Sequence, residues 1–283
     1  MTTAPLLDVS GLRVAFPGRG WRAEPVEVLH GVDLTVGSGE AHGLVGESGS
    51  GKTTIGRAVL GLVKTTAGTI SFGGRDITRA SGRARRALSR DIQVVFQDPY
   101  TSLNPSLTIG DILAEPLVVH GSAPADARRR VRELLDRVGL PADAAERLPR
   151  EFSGGQRQRV AIARALAPEP RLIVCDEPVS ALDLSTQARV LDLLLDLQRR
   201  TGVAYLFISH DLSVVRHMCH RVSVIHRGDI VETGPAAAVT SAPRHPYTRR
   251  LMLASPVADP VVQAGRREER RRLAEAERAA PPA

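Results

Sequence analysis

The chain has 283 residues, 42% of them hydrophobic, which is enough to bury a full core as one large domain or two small ones. Cys175 and Cys219 are too few and too far apart for a disulfide framework, no run approaches a membrane span, and MTTAPLLDVSGLRV lacks the features of a signal peptide, so a cytosolic location is expected. The formal net charge of +7 is spread over Arg-rich segments that also carry Glu and Asp, which argues against nucleic acid as a partner.

Residues 6–16 alternate and read as a strand, with residues 28–36 as an antiparallel partner across a loop holding Trp21 and two prolines. Residues 41–45 form a short apolar strand leading into GESGSGKT, residues 46–53, which fits the phosphate-loop pattern G-x-x-x-x-G-K-[ST] without a mismatch. Its glycines bring successive N–H groups close to phosphate oxygens, Lys52 supplies charge toward the β and γ phosphates, and Thr53 is a Mg²⁺ ligand. Gly46, Glu47, Ser48, Gly49, Ser50, Gly51, Lys52, Thr53 and Thr54 are therefore the phosphate-binding candidates, with a helix over residues 53–62 pointing its N-terminus at them. Lys52 is one of only two lysines in an arginine-dominated chain, because a compact ammonium is hard to replace there by a planar guanidinium. An aromatic of the neighbouring flap is placed to stack on an adenine ring, with Phe16 the first candidate and Trp21 the second.

Residues 68–72 read as a strand, residues 81–90 as a basic helix with a solvated face, and residues 92–96 as a buried strand that delivers Gln97 at its end. Helices are expected over residues 109–120 and 125–138, the second burying Val131, Leu134, Leu135 and Val138; they interrupt the α/β alternation as a helical insertion. Ser153 is a natural N-cap for a helix over residues 156–167, and the small residues Gly154 and Gly155 beside Gln156 leave N–H groups free for an anion. Residues 172–175 are a fully buried strand ending in Asp176, suited to Mg²⁺, and Glu177, suited to polarise attacking water. A tight turn at Asp183 precedes a helix over residues 187–200, with Val190, Leu193, Leu194 and Leu197 on its apolar face. Residues 204–209 form another buried strand ending at His210, placed to sense a γ-phosphate. A hairpin of residues 222–226 and 230–233 completes the core at Gly234; HPYT, residues 245–248, starts a C-terminal appendage, and residues 263–283 are a charged tail expected to be disordered.

In this order the motifs resemble those of the nucleotide-binding subunit of an ATP-binding cassette transporter, over about residues 6–251. The resemblance implies an α/β fold: a phosphate-loop NTPase core with an antiparallel β flap (residues 1–97 and 169–240), an inserted helical subdomain (98–168) and a short C-terminal appendage (241–283). It implies ATP and Mg²⁺ as cofactors, with Glu177, His210 and Gln97 as catalytic residues and Thr53, Gln97 and Asp176 around the metal. Ser153, Gly154, Gly155 and Gln156 become the signature motif and Asp183 part of the D-loop, both facing nucleotide across a head-to-tail dimer. FQDPYTSLNP, CDEPVSALD and HPYT are similar to the second ATPase of oligopeptide and dipeptide importers, a subgroup that also contains nickel and oligosaccharide importers. Two transmembrane permease subunits, a second cassette ATPase (a paralogue or another copy) and, indirectly, an extracellular solute-binding protein are then the partners, on the cytoplasmic face of the membrane. Soluble cassette ATPases of translation or DNA repair usually carry two cassettes, long coiled coils or zinc modules, none of which is present in this sequence.

Overall fold

The computed structural model describes residues 4–18, 20 and 24–254. Trp21 and the charged tail lie outside them. In chain order the elements are β1 (Leu7–Phe16), β2 (Val26–Val36), β3 (Ala41–Val45), α1 (Lys52–Val59), β4 (Ala67–Phe72), β5 (Arg75–Asp76), α2 (Gly82–Leu88), β6 (Ile92–Val95), α3 (Pro99–Ser102), α4 (Ile109–Val119) and α5 (Pro124–Arg137). They continue with α6 (Gly154–Leu166), β7 (Leu172–Asp176), α7 (Leu184–Thr201), β8 (Ala204–Ser209), α8 (Leu212–Met218), β9 (Arg221–His226), β10 (Asp229–Pro235), α9 (Ala236–Ser241) and α10 (Pro246–Ala254).

Two sheets result. The flap is four-stranded in the order β2-β1-β4-β5, and the main sheet is six-stranded in the order β10-β9-β3-β8-β7-β6. All pairings in the main sheet are parallel except that of β10 with β9. Strands β3, β7 and β8 are buried on both faces, as their unbroken apolar runs require, and alternate residues feed two different cores. Val45, Ile173, Cys175, Tyr205 and Phe207 join α6, α7, α8 and the helical insertion in one cluster. Leu44, Leu172, Val174, Leu206 and Ile208 face α1 and the flap in the other. Each fully buried Val, Leu or Ile side chain contributes about 1.5 to 3 kcal/mol. Val131, Leu134 and Leu135 can therefore hold the arginine-rich α5 onto the rest, and with Val138 they are buried as their spacing predicts.

Several boundaries differ from the sequence expectation, each for a local reason. Helix α1 stops at Val59 rather than residue 62, because Gly61 (φ +74°) turns the chain while Gly61 N–H donates to Ala58 O and Leu62 N–H to Arg57 O. Helix α7 starts earlier, at Leu184, since Asp183 Oδ1 accepts from the N–H groups of Ser185 and Thr186. On α7 it is Leu191 that is buried, with Leu193 only half-covered. The turn-rich stretch after Gln97 contains α3, whose first turn is capped by Asp98 accepting from Tyr100 N–H. The core also does not finish at Gly234: Ala236, Val239, Tyr247 and Leu251 belong to the main buried cluster, because α9 packs on α8, β9 and β10 while Tyr247 of α10 stacks on His226 of β9.

Candidate functional site

Parallel strands put their C-terminal ends on one edge, and in an open α/β sheet that edge is where a site forms. Val45 pairs with Ser209 and Asp176 with Ile208, so β3, β7 and β8 release the phosphate loop, Glu177 and His210 side by side. Loop residue Gly46 has no room for a Cβ, which would collide with the Ile225 carbonyl oxygen and lie 2.8 Å from Ser50 Oγ. The loop therefore packs tightly on β9 and closes on itself through Ser50 N–H donating to Glu47 O at 3.2 Å.

Lys52, 4% exposed, donates from Nζ to the carbonyl oxygens of Gly46 and Glu47, both at 2.8 Å. Burial lowers its pKa, while the carboxylates of Glu177, Asp176 and Glu47 push it back up. Thr53 Oγ1 donates to Asp176 Oδ1 at 3.0 Å. Burial raises the Asp176 carboxyl, the Thr53 hydrogen bond opposes the rise, and the neighbouring Glu177 adds to it. Glu177 sits at φ +49°, a conformation that costs a non-glycine residue about 1 to 3 kcal/mol. Its N–H donates to Ile208 O at 3.0 Å, and its Oε2 lies 3.1 Å from His210 Nδ1. The kink takes the carboxylate out of the strand's alternation and presents it to a pocket of about 590 Å³ that Gly46, Ser48, His210 and Leu251 also line.

These residues fit a Mg²⁺-bound nucleoside triphosphate. Ser50 is 5% exposed, and its Oγ has no hydrogen-bond partner among the described residues. A buried hydroxyl in that condition suits a phosphate oxygen, and the free N–H groups at the start of α1 point the same way. The Thr53 hydroxyl and Asp176 carboxylate are the hard oxygen ligands that Mg²⁺ takes.

Among the described residues, the other sequence candidates do not line this pocket. Gln97 is exposed just beyond β6, and among the described residues its side chain is bonded to neither Thr53 nor Asp176. Phe16 ends β1 opposite Val26, 40% exposed, so its ring is free to stack on a ligand. Ser153 caps α6: its Oγ accepts from Gln156 N–H at 3.3 Å, and Gln156 Oε1 accepts from Ser153 N–H at 2.9 Å. Ser153, Gly155 and Gln156 line a groove with Thr186 and Arg189 that contains no residue of the phosphate loop. The Asp183 carboxylate is engaged on its own helix, and its pKa is held low by hydrogen bonds from Thr186 first and Ser185 next.

Sequence reasoning missed one contact at the loop. Glu47 N–H donates to Tyr247 Oη at 3.0 Å, across 200 positions of chain. HPYT marked the spot as a motif, but no local pattern says that its tyrosine reaches residue 47.

A family model described as "ABC transporter" matches residues 29–180. Among curated proteins, the chain is 53% identical over 261 residues to the glutathione import ATP-binding protein GsiA of Escherichia coli (strain K12), covering 90% of this chain and 42% of that protein. It is 52% identical, with the same coverage, to the protein of that name from Salmonella typhi. The chain thus spans 42% of the length of these relatives. Among solved structures, CbiO1 of Clostridium perfringens, part of the ABC transporter complex CbiONQ, is similar with a TM-score of 0.75 at 27% identity, covering 85% of this chain and 92% of that one. The ATP-binding cassette MJ0796, a dimer in a post-hydrolysis state with ADP and Pi, is similar with a TM-score of 0.73 at 29% identity, covering 81% and 98%.

Proposed function

Since the chain belongs to the ABC transporter family, we propose that it is the ATP-hydrolysing subunit of an importer, powering uptake of peptides through separate membrane subunits from the cytoplasmic face of the membrane. The observation that carries this reading is the strand-end cluster: the Thr53–Asp176 hydrogen bond and the Glu177–His210 pair stand behind a lysine-bearing phosphate loop. No helix among the described residues is long and apolar enough to cross a membrane.

In this mechanism the loop amides and Lys52 hold the β and γ phosphates; Thr53 and Asp176 would hold Mg²⁺, which would supply positive charge against the phosphates. Glu177 takes a proton from the water whose oxygen attacks the γ phosphorus, and the bond to the ADP oxygen breaks in line. His210 orients the Glu177 carboxylate through Nδ1. Gln97 couples the γ-phosphate side of the site to the segment at α3, which meets the membrane subunits. Phe16 stacks on adenine.

The separation of Ser153, Gly155 and Gln156 from the phosphate loop supports a head-to-tail pair in which the partner's α6 closes the site. The helix N-terminus there favours a bound phosphate. The named glutathione import proteins favour small peptides, glutathione included, as the solute delivered by an extracellular binding protein. The test is to copurify the tagged chain from membranes and to assay Mg-ATP hydrolysis of the assembly with and without a peptide-loaded binding protein. Stimulation by the loaded binding protein is expected. Copurification with ribosomes or DNA in place of membrane proteins would overturn the reading.

A further inference from the structure

The HPYT segment is not absorbed by the mechanism above, yet it touches the phosphate loop. Tyr247, 2% exposed, stacks on His226 with ring centroids 4.0 Å apart and accepts from Glu47 N–H at 3.0 Å. The placement of that ring is built up in steps. Glu232 of β10 accepts from the N–H groups of Arg244 at 2.8 Å and His245 at 3.1 Å, which fixes the chain entering α10. His245 Nδ1 then accepts from Tyr247 N–H at 3.2 Å. Behind the same loop, the turn between β9 and β10 supplies a second fastening, Gly228 N–H donating to Ser50 O at 3.0 Å. The C-terminal part of the chain thus brackets the loop at Glu47 and at Ser50, and Leu251 of α10 continues as a wall of the same pocket.

We propose that Tyr247 is a positioning residue of the nucleotide site: its hydroxyl fixes the Glu47 end of the phosphate loop, so that the HPYT segment sets nucleotide affinity without touching the reacting atoms. The inference rests on the ATP-binding reading above. A loop held at both ends keeps its N–H groups aimed before the phosphates arrive, and preorganisation of this kind shows in affinity. Chemistry at Glu177 lies beyond the bracket, so turnover at saturation should change little.

The experiment uses the full chain. Tyr247→Phe keeps the ring, the stack and the burial while deleting only the acceptor. The expected result is a dissociation constant for a fluorescent ATP analogue raised about three- to tenfold, the worth of one hydrogen bond. In the transporter assembly the KM for ATP should rise with kcat retained, and the thermal midpoint should fall by no more than a few degrees, the cost of one hydrogen bond. Amide hydrogen exchange in the nucleotide-free chain gives an independent readout, with faster exchange expected in the peptide carrying Glu47 and not across the sheet. Glu232→Ala, which leaves Tyr247 in place but loosens its anchor, should reproduce both effects more weakly. Wild-type affinity together with wild-type Glu47 protection in Tyr247→Phe would overturn the inference alone. A wild-type chain that fails to bind the ATP analogue would overturn the ATP-binding reading and this inference with it.

Discussion

Glu177 and Asp176 are adjacent acids whose surroundings give them different work. Glu177 is twisted off the strand toward His210, whereas Asp176 ends the strand bonded to Thr53. Glu177→Gln keeps the shape of the side chain but removes the proposed base, so turnover should drop on the order of a hundredfold or more while ATP stays bound. Asp176→Asn should weaken Mg-ATP binding itself. Phosphate release and equilibrium nucleotide binding, measured on the same samples, separate the two; near-normal release from Glu177→Gln would move the role of base to another group. His42 offers a test of stability. It is 1% exposed, its Nε2 lies 2.9 Å from Ser223 Oγ, and burial, with Arg221 nearby, lowers its pKa to about 4. The folded state thus refuses a proton that the unfolded chain accepts below about 6.5. Stability from this group is intact above that pH, falls as the pH drops toward 4, and is lost by about 3 kcal/mol in all. Urea unfolding at pH 7 and pH 5 should show about 2 kcal/mol of this loss. His42→Gln should flatten the difference, and an unchanged pH dependence in that variant would assign it elsewhere.

Helix α6 carries two duties at its first turn, and they can be separated. Ser153 satisfies the helix's own N–H groups through the capping box, and in the proposed dimer the same turn faces the partner's nucleotide. Ser153→Ala should cost about 1 kcal/mol in the isolated chain, visible as a modest fall in its denaturation midpoint. Ser153→Asp retains a good cap and adds negative charge where phosphate should come, so stability should survive while ATPase activity in the assembly is lost. If Ser153→Asp keeps full activity, α6 does not face the nucleotide. The turn after Gln97 is tied to the same helix: Arg157 stacks over the Tyr100 ring at 4.1 Å, and Arg164 Nη1 donates to Ser102 O at 2.5 Å. A shift of α3 must therefore move α6, which links the strand-end glutamine to the signature turn by packing and not by a loose loop.

In the proposed assembly, a head-to-tail pair of two copies makes a prediction that no single-site model shares. A Lys52→Ala copy paired with a Ser153→Asp copy collects both defects in one composite site and leaves the other intact. Mixing the two inactive variants should therefore restore ATP hydrolysis above the level of either alone, followed as phosphate release across a mixing series. No gain at any ratio would show that two copies of this chain do not complete each other's sites. The central sheet is suited to transmit such closure, because one buried cluster runs without a break from β7 and β8 through α6 into α4 and α5.

The legible features were those written in local pattern. GESGSGKT, the apolar strands ending in Asp176-Glu177 and His210, and the Ser153 cap each depend on residues a few positions apart, and each stands where the sequence puts it. The early stop of α1 was also written, in Gly61, but helical periodicity outvoted it. Other features depended on pairings between distant segments. That β4 would join β1, that Ser50 Oγ would be buried without a partner among the described residues, and that Tyr247 would fasten Glu47 follow from how the chain doubles back on itself. Periodicity, caps and loop chemistry act over a turn or two of chain, so the sequence alone determined most of the elements, though not α3 or α9, and the residue types of the site. Which strand edges meet, and which hydroxyl finds which amide across the core, is decided by packing two sheets and their helices at once, and only the tertiary structure carries that information.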